Sequence, residues 1–537
     1  CALVSAMIVQ RDSFAVVVER CRKKALPIVA GGPYPSVYYE EIPNVDYLVL
    51  GEAEDVFEDF FASLENGSAS RITKPPTGAN GITKKPDMSS ARLPRYDLVD
   101  LRYYGSVALQ FSRGCPFDCE FCDITQLYGR VPRTKTNDQI IAELQLLYDC
   151  GWRRTVFFVD DNFIGNRTRV QRLLPAVAAW QKARRYPFCF YTEASVNLAE
   201  APDLMDAMAD AGFDMVFLGL ETPNPNALRQ ANKQHNIQNG NPSYLLDAVH
   251  RIQRHGMEVS AGFILGLDGD DAGSFDAQLE FIQHAGIPTA MVGLLMPLKG
   301  TRLYERYQQQ GRLIDEPSGN NVCTALSYIP EIRSEVLIAG YKRVLASLYD
   351  VNLSNYFDRC YRLICRWNRK KFCARKVRTT ELYALFRSLK IQLFSRQGPS
   401  YAKFLAKVVL SRPKMFSEAV RLAIMGYHYE KITREQIKVD EFKHFLNAEY
   451  ERLQAKVYDF ARLGCGYLHD IQLCLEQSLD EVQKRYCQIN KDFCVAMDPA
   501  LRSFQERLGR QLALYAPKLD FQIPQFIKSS DRMQNMV

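Results

Sequence analysis

No stretch of about 18 consecutive apolar residues occurs in the chain, so no segment reads as a membrane-spanning helix. Histidine is scarce, and none precedes His235, which leaves the first part of the chain without an imidazole for a metal. The one cysteine-rich loop has no second CxxC pair nearby, so the paired-ligand pattern of a structural zinc site is missing. No repeat period is evident, which argues against a solenoid. The net charge of +7 is a mild excess that says little about partners. Nucleic-acid binding would want a basic groove interleaved with stacking aromatics, and none is found. The chain does have 15 cysteines, most of them (Cys150, Cys189, Cys360, Cys474) single and in apolar contexts. They read as buried small hydrophobes in a reducing cytosol. The chain begins at Cys1, directly with strand-like "CALVSAMIV", and reads as a fragment whose true start is missing.

Periodicity divides the 537 residues into four stretches. Residues 1–67 alternate apolar strands ("ALVSAMIV", "LPIVAGG", "DYLVLG") with helices, the first capped by Asp12 or Ser13. That alternation implies a parallel sheet covered on both faces, which binds ligands at the carboxyl ends of its strands. Residues 68–104 fade into Pro, Gly, Lys and Ser and read as a surface linker. Residues 105–325 hold six strand–helix units with short connections, which suggests a partly closed (β/α)6 barrel. Residues 326–537 read as an all-α domain rich in aromatic and basic side chains.

The chemically loaded residues fall where the barrel strands end. "FSRGCPFDCEFCDI" (Phe111–Ile124) puts Cys115, Cys119 and Cys122 on one loop after the first barrel strand. Three thiolates on a cubane leave one iron open to another ligand, whereas zinc would want a fourth protein donor. A zinc-stabilised binding module without turnover is the competing reading. Glu193 and Glu221 end the third and fourth strands; as helix-start carboxylates they could also be plain dipole partners.

This CxxxCxxC loop resembles the radical S-adenosylmethionine (SAM) superfamily. The resemblance implies that Cys115, Cys119 and Cys122 hold a [4Fe–4S] cluster whose remaining iron is chelated by SAM, with Phe121 against the adenine. Asp160, Asp161 or Asn162 would substitute for the family's absent Gly-Gly-Glu at the SAM amino group. Glu193 and Glu221 would meet the ribose hydroxyls or the methionyl amine, and Gly262 and Gly266 of "GFILG" the adenine. Upstream, Ser5-x-Met7 followed by Gly31-Gly32 is similar to the cobalamin-binding fingerprint, Met7 standing for Leu, and "GGPYPS" with Pro33 and "GEAE" with Glu52 extend the likeness. The tail resembles the C-terminal helical domain of the branch that includes hopanoid C-2 methylase-like enzymes.

The resemblance implies three cofactors (the cluster, SAM and cobalamin) and a methyltransferase acting on an unactivated carbon of a hydrophobic, hopanoid-like substrate. Electrons would come from a donor such as flavodoxin or ferredoxin. A radical cyclase or oxidoreductase with the same cofactors is the alternative. The expected location is cytoplasmic, with no nucleic-acid partner. The basic run Asn355–Arg378 reads in two ways. Phe357, Tyr361, Ile364 and Phe372 form either a core stripe with Arg359, Arg362, Arg366 and Arg369 solvated, or the apolar face of a helix lying on a membrane.

Overall fold

Alternating burial along one short strand shows how the N-terminal layer is built. In β2 (Ile28–Gly31), Ile28 and Ala30 enter one core with Phe14, Val18 and Leu48, while Val29 enters another with Val49 and Phe60. The strand is thus covered on both faces, as its unbroken apolar sequence requires. The structure, a computed structural model, describes residues 1–77, 83–238, 241–320, 324–370, 379–463, 468–490, 493 and 497–515. It forms two compact units, Cys1–Gly426 and Tyr427–Val537.

The first unit opens with a parallel four-stranded sheet in the order β1 (Ala2–Ser5), β2, β3 (Tyr47–Val49), β4 (Ile72–Thr73). β1 is shorter than the apolar run suggested: its register with β2 ends at Ser5–Gly31, and Ile8–Gln10 turn into a 3-10 helix. The first helix, Arg11–Lys23, is entered through Gln10, not Asp12 or Ser13. The stretch read as linker supplies β4, paired to β3 through Leu48–Ile72.

Six parallel strands follow in sequence order: β5 (Val107–Leu109), β8 (Thr155–Phe158), β9 (Cys189–Ala194), β10 (Phe213–Glu221), β11 (Glu258–Leu265) and β12 (Ala290–Leu294). A hairpin of β6 (Ser112–Arg113) and β7 (Arg133–Thr134) is inserted after β5. Phe158, Phe163, Phe190 and Phe213 pack ring to ring at 5.0–5.5 Å beneath the sheet. No described helix is long and apolar enough to cross a membrane.

The helices after the barrel close its amino-terminal end. Helix Ser354–Arg366 sends Arg359 fully into the core, where Nε donates to the Ile287 carbonyl at 3.1 Å and a guanidinium nitrogen to Leu348 at 3.0 Å. Arg369 pairs with Asp214 at 2.9 Å and with Glu418, and Arg421 with Glu418 at 2.7 Å and with Glu258. Asp214 and Glu258 sit at the starts of β10 and β11. Arg359 and Arg369 are therefore not members of a solvated or membrane-facing stripe; Phe372 lies outside the described residues. In the second unit, Phe442, Leu446, Leu453 and Val457 of helix Phe416–Leu463 form a core with Leu475, Leu479 and Val482 of Leu468–Cys487 and Leu501, Phe504 and Leu508 of Asp498–Tyr515.

Arg369→Met removes the buried guanidinium that Asp214 and Glu418 share and leaves Arg421 as the remaining cation on Glu418. It should lower stability in urea unfolding of the full chain by about 3 kcal/mol, the cost of breaking a buried pair. An unchanged midpoint would show the pair to be solvent-compensated.

Candidate active site

The three-cysteine loop is fixed from both ends. At its start, Asp160, just past β8, accepts from the Phe111 amide at 3.1 Å, from the Ser112 amide, and from the Ser112 hydroxyl at 2.6 Å. Asp161 accepts from the Gly114 amide at 3.0 Å. Gly114 has φ +95° and a Cβ there would strike the Gly129 carbonyl, so only glycine turns the chain at this point. Asn162 donates to Cys115 Sγ at 3.8 Å and to Ser195 Oγ at 3.2 Å. At the far end, Arg306 grips both oxygens of Glu120 at 2.7 and 2.9 Å. Arg306 also donates to Asp268 at 2.7 Å, which accepts in turn from Tyr307 at 3.0 Å and Arg312 at 2.8 Å. A forked guanidinium between two carboxylates fixes position as well as charge.

Cys119 is buried, and Cys115 and Cys122 are half-buried. Burial pushes all three above the ordinary cysteine value, Cys122 to about 12. Lys233 works against burial at each of them. Its ammonium bonds Glu221 Oε1 at 2.6 Å and lies 5.6 Å from the centre of the Phe121 ring. Burial opposes that charge, and Glu221 and Cys119 outweigh it, so the lysine stays protonated. Glu221 ends β10 at φ +63°, and a Cβ on Gly219 would meet both partners of the pair. His235, stacked on Phe117 at 3.7 Å, is driven down to about 3 by burial and by Lys233, so Lys233 is the cation here.

This donor set fits an iron–sulfur cluster. Among the described residues no group of three His, Cys, Asp or Glu closes on a single metal ion. Three thiols spaced round one loop, beside a buried cation that offsets thiolate charge, suit a larger centre.

The carboxylates behave differently from one another. Asp160 is fully buried and engaged with the loop, and burial lifts it to about 7. It fastens the loop and leaves no oxygen facing the open edge. Glu193 on β9 is also lifted to about 7, by burial and then by Asp161 and Asp160, with no hydrogen bond contributing to its charge. The "GFILG" glycines have packing reasons of their own. A Cβ at Gly262 would press on the Phe217 ring at 3.1 Å, and one at Gly266 (φ +89°) would collide with Tyr328 and Leu337.

At the N-terminal sheet, Gly32 (φ +88°) leads into helix Pro33–Tyr38, and a Cβ there would overlap the Ser5 hydroxyl. The Ser5, Gly31, Gly32 and Pro33 edge is thus a backbone cradle with room only for glycine, and Met7 beside it is half exposed. Ser36 staples it, donating to the Gly32 carbonyl at 2.7 Å and accepting from the Gly51 amide at 2.8 Å. Glu52 does something else. It is buried and receives Arg113 at 3.0 Å and Arg133 at 2.8 and 3.0 Å, tying the sheet to the cysteine hairpin. Arg113 also pairs with Glu54 at 2.6 Å. A second tie runs through Glu316, which accepts from Tyr38 and Tyr304 at 3.1 Å each. Because Glu52 follows β3 and Arg113 follows β5, the carboxyl edges of the two sheets meet. Lys233, Arg306 and Arg133 carry no motif in the sequence; Asp268 falls in the strand-end run LGLDGD and Arg113 in the cysteine loop's own run, but the partner of each is set by the fold.

Residues 109–282 match the Radical SAM superfamily and residues 301–441 a Domain of unknown function (DUF4070). An uncharacterized methyltransferase of Synechocystis sp. is 36% identical over 461 residues, covering 84% of this chain and 83% of that protein. The hopanoid C-2 methylase of Rhodopseudomonas palustris is 36% identical over 367 residues, 65% of this chain and 67% of that protein. Among solved structures, the cobalamin-dependent S-adenosylmethionine radical enzyme OxsB, with aqua-cobalamin and S-adenosylmethionine bound, aligns over 97% of this chain and 76% of its own with a TM-score of 0.51. At 13% identity that likeness concerns the fold. The cofactors of the family are a [4Fe–4S] cluster, SAM and cobalamin. On these likenesses the chain belongs to the cobalamin-binding radical SAM family of methyltransferases, in the branch that includes hopanoid C-2 methylase-like enzymes.

Proposed function

We propose that this enzyme methylates an unactivated carbon of a hydrophobic, polycyclic lipid of hopanoid type. One observation carries the methyl-transfer reading: the Glu52–Arg113–Arg133 junction brings the cradle edge of the N-terminal sheet over the loop that holds the thiols. A methyl donor in the first layer and a radical source in the second would then share one space. The lipid class is supported by the likeness to the hopanoid C-2 methylase.

When bound, the cofactors supply the electron, the hydrogen-abstracting radical and the methyl group. The chain supplies placement. Cys115, Cys119 and Cys122 hold the cluster, with Lys233 offsetting their charge. Glu193, with Asp161 and Asn162, receives the SAM amino group. Phe121 and the backbone at Gly262 and Gly266 border the adenine. Glu221, locked to Lys233, marks the end of β10 beside the ribose. Ser5, Met7, Gly31, Gly32 and Pro33 border the corrinoid tail, while Glu52 holds the two layers together. The working domains on this reading are 1–67 and 105–325, and the electron donor is a flavodoxin or ferredoxin.

Cys119→Ala, reconstituted without oxygen, should lose the brown chromophore and its iron and sulfide, and cleave SAM no faster than background. Zinc in place of iron in the unaltered protein would overturn the assignment. In turnover with a hopanoid, deoxyadenosine and S-adenosylhomocysteine should form in equal amounts, with a product one methyl heavier; deoxyadenosine alone would favour radical cyclisation or oxidation.

Glu193 predicts a pH signature in the unloaded protein. Its carboxyl moves from an ordinary 4.5 to about 7 on folding. Between those values the folded state keeps a proton that the unfolded state has lost, so this group's contribution to stability falls as pH rises. The melting temperature of Glu193→Gln, relative to the unaltered protein, should therefore climb from about pH 5 to about pH 7 and then level off. A flat difference would place Glu193 in water.

A further inference from the structure

The helix Thr379–Leu393 packs with Leu385 and Leu389 half-buried and its fully buried positions polar. Its packed side holds Ser388 and Gln392, bonded to each other at 2.9 Å, with Ser388 also 3.0 Å from Tyr401 OH. Its outer side presents Leu382, Tyr383, Phe386 and Leu393, with Tyr383 at 66% and Phe386 at 68% exposure. Residues 382, 386 and 393 lie along one stripe at helical spacing, and Tyr383, Arg387 and Lys390 border it. Phe394, in the turn to the next helix, is 89% exposed, and Leu410, near the end of helix Gly398–Ser411, is 86% exposed. Isolated exposed apolar residues are ordinary, but a run of exposed aromatic and leucine side chains along one helix face and the turn after it suits a non-aqueous neighbour.

Charge identifies that neighbour. From Leu382 to Met415 the sequence has seven Lys and Arg and no Asp or Glu. Lys403 and Lys407 also line a cavity of about 330 Å³ with Phe357, Tyr361 and Phe404, where Asp358 is the one acidic side chain in the lining. Exposed aromatic and leucine side chains set in a run whose charged residues are all basic suit the interface of an anionic bilayer. Apolar groups enter the acyl boundary there, and lysines and arginines stay among the headgroups. We propose that the helical hairpin 382–412 is a membrane-docking surface for anionic lipid. The basic run at Asn355–Arg378 does not supply it, since Arg359 and Arg369 are taken up by the core. The proposal goes beyond methyl transfer and does not depend on it, because docking needs no turnover.

The test is co-sedimentation of the full chain with phosphatidylcholine vesicles, with and without about one-third phosphatidylglycerol. The unaltered protein should bind the anionic vesicles, bind pure phosphatidylcholine far more weakly, and release at high salt. Phe386→Ser with Phe394→Ser should weaken binding by about tenfold or more, and Arg387→Glu with Lys390→Glu by about as much. Both pairs are exposed, so circular dichroism and melting temperature should be unchanged. The proposal is overturned if the unaltered protein stays in solution, if it binds neutral and anionic vesicles alike, or if either double variant binds as the unaltered chain does. Lipid-free dimerisation abolished by Phe386→Ser, without vesicle binding, would assign the face to a second copy and likewise overturn it.

Discussion

Withdrawing three thiols from water within the eight residues Cys115–Cys122 is the constraint on which the active edge depends. Buried cysteines resist ionisation, and a cluster needs them ionised, so the chain must supply charge and rigidity beforehand. It does so with a few groups at strand ends. Asp160 and Asp161 take up the backbone amides at the start of the loop, Arg306 locks Glu120 at its far end, and Lys233 places an ammonium among the thiols. Lys233 is itself stable only because Glu221 sits 2.6 Å away. Removing Lys233 or Glu221 takes from a buried charge the counter-charge beside it, so those two act as one unit.

The same economy joins the two layers. Glu52 serves the N-terminal sheet by position and the barrel by charge, since its oxygens are filled by Arg113 and Arg133 from the hairpin that flanks the cysteine loop. Disturbing the loop therefore disturbs the seat of the first sheet. The Glu316 contacts with Tyr38 and Tyr304 provide a second tie. The carboxyl ends of both sets of strands are held toward one space, which is what radical formation at one layer and methyl donation from another require.

At the opposite end of the barrel the chemistry is structural. Asp214, Glu258, Arg369, Glu418 and Arg421 form a buried ionic cluster under β10 and β11, and Arg359 fills carbonyls in the core. These helices are spent on packing. The helix Thr379–Leu393 within the same unit faces outward with its aromatics, so basic residues adjacent in sequence have unlike roles.

The sequence by itself determined the order of strands and helices, because each buried strand is a short apolar run between turn signals, and it determined the cysteine triad, whose spacing has chemical meaning without a fold. It also marked the strand ends at Asp160–Asn162, Glu193 and Glu221. Which of those carboxylates face the open edge was not legible. Asp160 and Glu52 proved to be fastened to amides and guanidinia, since a carboxylate's role is set by the donors that surround it, and these come from residues 48 to 81 positions away. β4 was hidden in a Pro- and Gly-rich stretch because two residues carry no periodicity. Lys233, Arg306 and the exposed face of helix Thr379–Leu393 were decided by tertiary structure alone: burial and pairing are properties of three-dimensional neighbours, and a lone lysine or a Phe-Arg-Ser run reads the same in either environment.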